Sequence, residues 1–224
     1  GSGRHSLDAL RKAGLQIVCL DAETGGRLWA RLVDNGLEQS RSILFLASSG
    51  EHLIATGSHL GAGNDTEYRV HCYSAKSGRE LWSASHLKGK PGAFTHGEQV
   101  HHPVILGDRL IAEPAIYELA TGKRLGPLDM PANWNLKRPG HSCGTLTGAG
   151  DCLFFRAANP TVLVLGKSAA DRFQALAPTR PGCWLNILPA QGLVLIPEAS
   201  SGCVCHFSLQ TSMAFRPRRQ GEVK

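Results

Sequence analysis

Cys19-Leu-Asp-Ala-Glu-Thr-Gly-Gly-Arg-Leu-Trp29 is written again, imperfectly, from Cys72 to Trp82 as Cys-Tyr-Ser-Ala-Lys-Ser-Gly-Arg-Glu-Leu-Trp. The copies agree at Cys19/Cys72, Ala22/Ala75, Thr24/Ser77, Gly25/Gly78, Leu28/Leu81 and Trp29/Trp82. A third copy, Leu119-Ala-Thr-Gly-Lys-Arg-Leu125, keeps the turn and loses the tryptophan. The Thr/Ser positions lie 53 and then 44 residues apart. Spacings of that size imply a solenoid or a propeller.

Each copy reads as two strands around a tight turn. Ile17-Val18-Cys19-Leu20 suits a pleated, half-buried surface, Thr-Gly reverses the chain through a residue free to take positive φ, and Arg-Leu-Trp resumes a strand. Upstream of the copies runs a second recurring hairpin: Gly50-Glu-His-Leu-Ile54, Gly107-Asp-Arg-Leu-Ile111 and Gly150-Asp-Cys-Leu-Phe154, with Ala190-Gln-Gly-Leu-Val194 as a looser fourth. Two hairpins per period make a four-stranded unit. The expected fold is therefore all-β, a β-propeller of four-stranded blades.

Leu-Asp-Ala-x-Thr-Gly-x-x-Leu-Trp resembles the tryptophan-docking repeat of the quinoprotein, or PQQ-like, β-propeller family. In that family the tryptophan packs between neighbouring blades. Asp21, Thr24, Gly25 and Trp29 fit the motif, as do Ser77, Gly78 and Trp82; Ser74 stands where the family favours Asp, and Cys19 and Cys72 where it often has Ala. The family's propellers have seven or eight blades. The resemblance thus implies that this chain is an incomplete, C-terminal part of a longer propeller, about four blades plus part of another. It transfers the fold and not the catalysis. The adjacent cysteine pair of many PQQ dehydrogenases is missing, as are a nucleophile elbow, a phosphate-binding loop and a zincin helix.

Residues 1–3, Gly-Ser-Gly, read as a cloning remnant, 4–215 as propeller blades, and 216–224 as a basic C-terminal tail. The first repeat begins near Gln16, with too little before it to supply the inner two strands of a blade. Fuller units follow near 40–83, 98–126, 140–174 and 183–215. Alone, such a chain is expected to form an open arc whose partners are other domains or chains that complete the propeller. Only Ser6–Lys12 has helical character, and no stretch reads as a signal peptide or membrane span. The 26 Gly and 12 Pro fit many strands and turns. Gly57–Thr66 and Lys88–Gly97 are the flexible excursions on which a propeller would carry a ligand. A net charge of +6, with Arg216, Arg218 and Arg219 clustered in the tail and no basic–aromatic interleaving, argues against nucleic acid as a partner.

The seven cysteines form two populations. Cys19 and Cys72 replace a small residue at equivalent strand positions and read as buried thiols acting as small hydrophobes. Cys143, Cys152, Cys183, Cys203 and Cys205 fall late in the chain. That block, with Arg-Pro-Gly-Cys183-Trp and Cys203-Val-Cys205-His, resembles the C-terminal segment of certain large bacterial extracytoplasmic PQQ-like repeat proteins, which implies a periplasmic or secreted location. Three readings stay open. Cys143 and Cys152 flank a short Gly-rich turn and can bridge across a hairpin, with Cys183 bonding Cys203 or Cys205. His141, Cys143, Cys183, Cys203, Cys205 and His206 could instead offer soft ligands to a metal. The thiols could also be free and buried. His96, His101 and His102 are read as surface or packing residues, because adjacent strand positions face opposite ways.

Two functions follow as expectations. The leading one is a non-catalytic propeller segment acting as a binding or assembly platform within a larger extracytoplasmic protein. The alternative is part of an oxidoreductase, using PQQ with calcium or a soft metal ion at the Cys/His block.

Overall fold

A computed structural model describes residues 16–32, 40–60, 66–89, 102–113, 115–127, 145–156, 159–167, 173–176, 187–198 and 211–218. It divides into two compact units: residues 1–93 with 101–128, and residues 94–100 with 129–224. The fold is an all-β propeller of four-stranded blades, without helix among the described residues.

The first unit holds three sheets. A two-stranded sheet joins β1 (Gln16–Leu20) to β2 (Arg27–Leu32). Next come two four-stranded antiparallel sheets, each with its strands in chain order. One is built from β3 (Ser40–Ser49), β4 (His52–Leu60), β5 (Thr66–Ser74) and β6 (Glu80–Gly89), the other from β7 (Val104–Leu106), β8 (Arg109–Ala112), β9 (Ala115–Glu118) and β10 (Arg124–Pro127). The second unit holds a four-stranded sheet of β11 (Thr147–Ala149), β12 (Cys152–Arg156), β13 (Pro160–Val164) and β14 (Phe173–Ala175). It also holds a three-stranded one of β15 (Leu188–Ala190), β16 (Leu193–Ile196) and β17 (Met213–Phe215). The expected fuller units near 40–83, 98–126 and 140–174 are four-stranded sheets in the expected order, while the one near 183–215 has three strands and the first repeat two among the described residues. Ser6–Lys12 lies outside the described residues, as do 61–65 and 90–97 of the two expected excursions; the rest of those excursions belongs to strands, 57–60 to β4, Thr66 to β5 and 88–89 to β6.

Turn chemistry explains the hairpins. Gly50, Gly107 and Gly150 each take the first place of a two-residue reversal at φ 54–58°, where a side chain would be strained. The looser fourth hairpin solves the problem differently, placing Gln191 at φ 54° and Gly192 at φ 74°. Gln191 is the non-glycine residue with positive φ among those described, which accounts for its weaker likeness to the other three.

Blades bury both faces, and alternation along the strands decides which neighbour each side chain meets. On the β3–β6 sheet, Ile54, Val70 and Cys72 join Leu110, Ala112, Ala115, Tyr117 and Leu119 of the β7–β10 sheet in one core. One residue along each strand, Ala55 and Tyr73 pack with Ile17 of β1, flanked by Trp29 and Leu53. In the second unit Phe154 and Val162 meet Ile187 and Ile196, with Cys152, Val164, Val194 and Phe215 around them. A hydrogen bond from Thr147 Oγ1 to the Ile187 carbonyl, 2.6 Å, ties those two sheets.

Candidate functional site

The repeated sequence folds into one repeated object. In all three copies the turn closes with the same two backbone bonds: Gly25 N–H to the Asp21 carbonyl and Asp21 N–H to Gly26, Gly78 to Ser74 and Ser74 to Arg79, Gly122 to Glu118 and Glu118 to Lys123, all 2.8–2.9 Å. A polar side chain at the entry braces the turn. Asp21 Oδ1 accepts from Thr24 N (2.8 Å), Thr24 Oγ1 (2.7 Å) and Glu23 N (3.2 Å). Those bonds, the Thr24 hydroxyl first, hold the Asp21 carboxyl below its ordinary range. Ser74 Oγ does the same job more weakly, accepting from Ser77 N at 3.4 Å, and Glu118 accepts from the Thr121 hydroxyl. The departure from Asp at position 74 therefore changes the strength of the brace and leaves the turn intact.

The glycine of each turn has a second role. Trp29 donates from Nε1 to the Ala75 carbonyl at 2.9 Å, and Trp82 donates to the Leu119 carbonyl at 2.9 Å. Each indole thereby reaches from the outermost strand of one sheet to the turn of the next sheet in the chain, and lies flat on its glycine. A Cβ on Gly78 would sit 2.6 Å from Trp29 Cε3, and one on Gly122 would sit 2.5 Å from Trp82 Cδ2 and Cε3. Both glycines have positive φ, 66° and 71°, so conformation and clearance both require glycine. Within a sheet, the half-buried Cys19 is the cross-strand partner of Trp29, and Cys72 is that of Trp82. Trp82 also stacks on Tyr117, centroids 6.2 Å apart. The third copy ends at Gly126, paired with Ile116 where the indole-bearing residue would be.

Among the described residues, one face of the β1–β2 sheet presents apolar side chains to solvent. Ile17, Trp29 and Arg31 face the β3–β6 sheet. The opposite face presents Val18, Ala30 and Leu32, with Leu20 and Leu28 at its bulged end. Val18, Leu20, Leu28 and Leu32 are 46%, 57%, 62% and 51% exposed. A depression of about 500 Å³ runs along β2 between Gln16, Arg27, Trp29, Ala30, Arg31 and Leu32. In the four-stranded sheets, the turn between the third and fourth strands is also tied to the turn between the first and second: Ala75 N to Glu51 O, Leu119 N to Asp108 O and Leu165 N to Asp151 O, each 2.8 Å. Ala22 holds the equivalent position and has no such acceptor among the described residues.

A second depression, about 450 Å³, lies between the β3–β6 and β7–β10 sheets, with Glu51, His52, Asp108 and Glu118 on its walls. Two of its three acids have local partners: Glu118 accepts from Thr121, and Asp108 sits 3.8 Å from Arg109. Among the described residues no three His, Cys, Asp or Glu side chains converge to hold a metal.

His141, Cys143, Cys183, Cys203, Cys205 and His206, the metal-ligand candidates, lie outside the described residues, as do His96 and His101. Cys152 is described. It is a half-buried free thiol on β12 opposite Val164, and Cys143, its expected bridging partner, lies outside the described residues. Burial, with Asp151 adding to it and Lys167 opposing, raises its pKa. Cys72 is fully buried, and burial followed by the Glu80 carboxylate pushes its thiol up to about 11. It is the small hydrophobe expected; Cys19 is only half-buried. His102 packs its ring edge-on to Phe45, centroids 4.9 Å apart. None of the described helices, there being none, could cross a membrane.

Sequence reasoning found the indole, the turn and its glycine. It missed the bare apolar face of β1–β2, although the alternation Val18, Leu20 against Ile17, Cys19 is the signal that could have shown it. No protein-family model matches the chain, and no curated protein matches it significantly.

Proposed function

We propose that the protein is a non-catalytic propeller segment that serves as a binding or assembly platform, within a larger extracytoplasmic protein of the PQQ-like repeat type, with β1–β2 as its docking face. The observation that carries this reading is the apolar face of Val18, Leu20, Leu28 and Leu32, exposed on a sheet whose other face packs Ile17 and Trp29 against the β3–β6 sheet. Contiguous apolar surface of this kind on a water-facing sheet marks an interaction site. The edge of β1 away from β2 adds to it, since it pairs with no strand among the described residues and an unpaired strand edge is a template for further strands. Resemblance of the motif and of the late cysteine block to that repeat family supports the assignment of type and location.

Hydroxyl-radical footprinting tests the proposal. Leu20, Leu28 and Leu32 should label heavily in the isolated chain and be protected in the native assembly recovered from the cells that make it. Equal labelling in both would remove the platform reading. Saturable PQQ binding with calcium, accompanied by dye-linked alcohol oxidation, would replace it with a catalytic one.

A further inference from the structure

Three turns among the described residues have the same closure, the same glycine conformation and the same carbonyl in the same place, yet only two of them are capped by a described indole. Gly78 lies under Trp29 and Gly122 under Trp82, whereas nothing among the described residues comes within 4 Å of a Cβ built on Gly25, at φ 68°. The carbonyls of Ala75 and Leu119 accept the two indole N–H groups; Ala22, their counterpart, receives no hydrogen bond from a described residue. Beside this bare turn stand Val18 and Leu20, exposed, at the positions of His71 and Tyr73 in the β3–β6 sheet, where Tyr73 packs with Ile17 and Trp29 in the filled seam.

Resting on the platform reading, we propose that Gly25, the Ala22 carbonyl and the Val18/Leu20 face form a receptor for the tryptophan side chain of a β-blade supplied from outside these 224 residues. Direction in the chain identifies the donor. In both filled seams the indole comes from the outermost strand of the preceding sheet, directly after a leucine and four residues beyond the turn glycine, as Leu28-Trp29 and Leu81-Trp82. The two remaining tryptophans, in Asn133-Trp134 and Cys183-Trp184, stand in no such setting. A second copy of this chain brings only the same four indoles, two already docked. The partner is therefore a blade whose outer strand ends Leu-Trp after a Thr/Ser-Gly turn. Its indole would lie on Gly25 and donate to Ala22, and its apolar strand face would cover Val18 and Leu20.

The receptor can be probed with a cyclised hairpin peptide of the sequence Thr66–Gly89, which carries Leu81-Trp82, titrated into the ¹⁵N-labelled full chain. The expected result is a saturable ring-current shift of the Gly25 amide. Affinity should fall at least about tenfold when the peptide carries Trp82→Ala, as for an anchoring aromatic. The receiving chain with Gly25→Asn should show the same loss, because asparagine tolerates the left-handed conformation while its side chain fills the place of the indole. Binding that ignores both changes overturns the receptor and leaves the platform reading standing. Absence of binding at millimolar peptide also overturns the receptor, while the footprinting of Leu20 and Leu32 decides the platform reading separately. A Gly25 amide already ring-shifted in the free chain, and released by Trp134→Phe or Trp184→Phe, would show the site filled from within and overturn the external donor.

Discussion

Replacing Gly122 by alanine attacks the seam where conformation and packing meet. The new Cβ would lie 2.5 Å from Trp82 Cδ2 and Cε3 and 2.9 Å from Cγ, so the indole must leave its place. A left-handed alanine costs about 1 kcal/mol by itself. Losing the Trp82 Nε1 bond to the Leu119 carbonyl costs about 1 kcal/mol more. Disturbing the Trp82–Tyr117 stack adds roughly 0.5–1.5 kcal/mol. The total is about 3 kcal/mol. Gly25→Ala is the internal control, because Gly25 has nearly the same φ, 68° against 71°, with nothing within 4 Å among the described residues. It should lose only the conformational part, about 1 kcal/mol. Urea unfolding followed by tryptophan fluorescence measures both variants in the same unit of the protein. Losses that agree to within about 0.5 kcal/mol would refute the claim that the glycine is needed for the indole as well as for the turn.

Other perturbations follow from the same geometry. Trp82→Phe keeps an aromatic ring and removes the donor to Leu119, so the unfolding midpoint in urea should drop by the equivalent of about 1–2 kcal/mol. Gln191→Gly relieves a side chain at φ 54° and should raise stability by about 1 kcal/mol; a drop would show that the Gln191 side chain holds the turn. Cys72, with its thiol near 11, should resist alkylation at pH 8 long after the half-buried Cys152 has reacted. Because its folded value is raised from 9.0, its contribution to stability is present below pH 9 and fades as pH climbs to about 11. Asp21 shifts the other way: its contribution is present above its ordinary value of 3.8 and is lost as pH falls through its lowered folded value. Asp21→Asn should therefore flatten the acid limb of a pH–stability curve, and an unchanged limb would assign it to other carboxylates.

The fold was legible because the repeat encodes backbone conformation and packing in the same few residues. Thr24-Gly25 and Ser77-Gly78 announce a turn, while Trp29 and Trp82 announce a neighbour to pack against. Gly107 and Gly150 announce two-residue hairpins, and the φ values realise them. The unfilled receptor was harder to read, since Gly25 looks identical in sequence to Gly78 and differs only in what lies above it. Nor could spacing alone settle Cys152. Its neighbours Ala149 and Val164 are found by strand pairing, which places the thiol against a core of Phe154, Val162 and Ile196. Position in a hairpin fixed where Cys152 could reach, and not whether it would be bridged.

Hydrogen exchange along β1 tests the platform most directly. In the isolated chain, the β1 amides that point away from β2 should exchange rapidly, while those of β5, paired with β4 on one side and β6 on the other, should be protected toward the global unfolding free energy. Addition of a blade that completes the sheet should bring the β1 amides to the protection of β5. Equal protection of both strands in the isolated chain would mean that the β1 edge is already covered, and would contradict an open docking face.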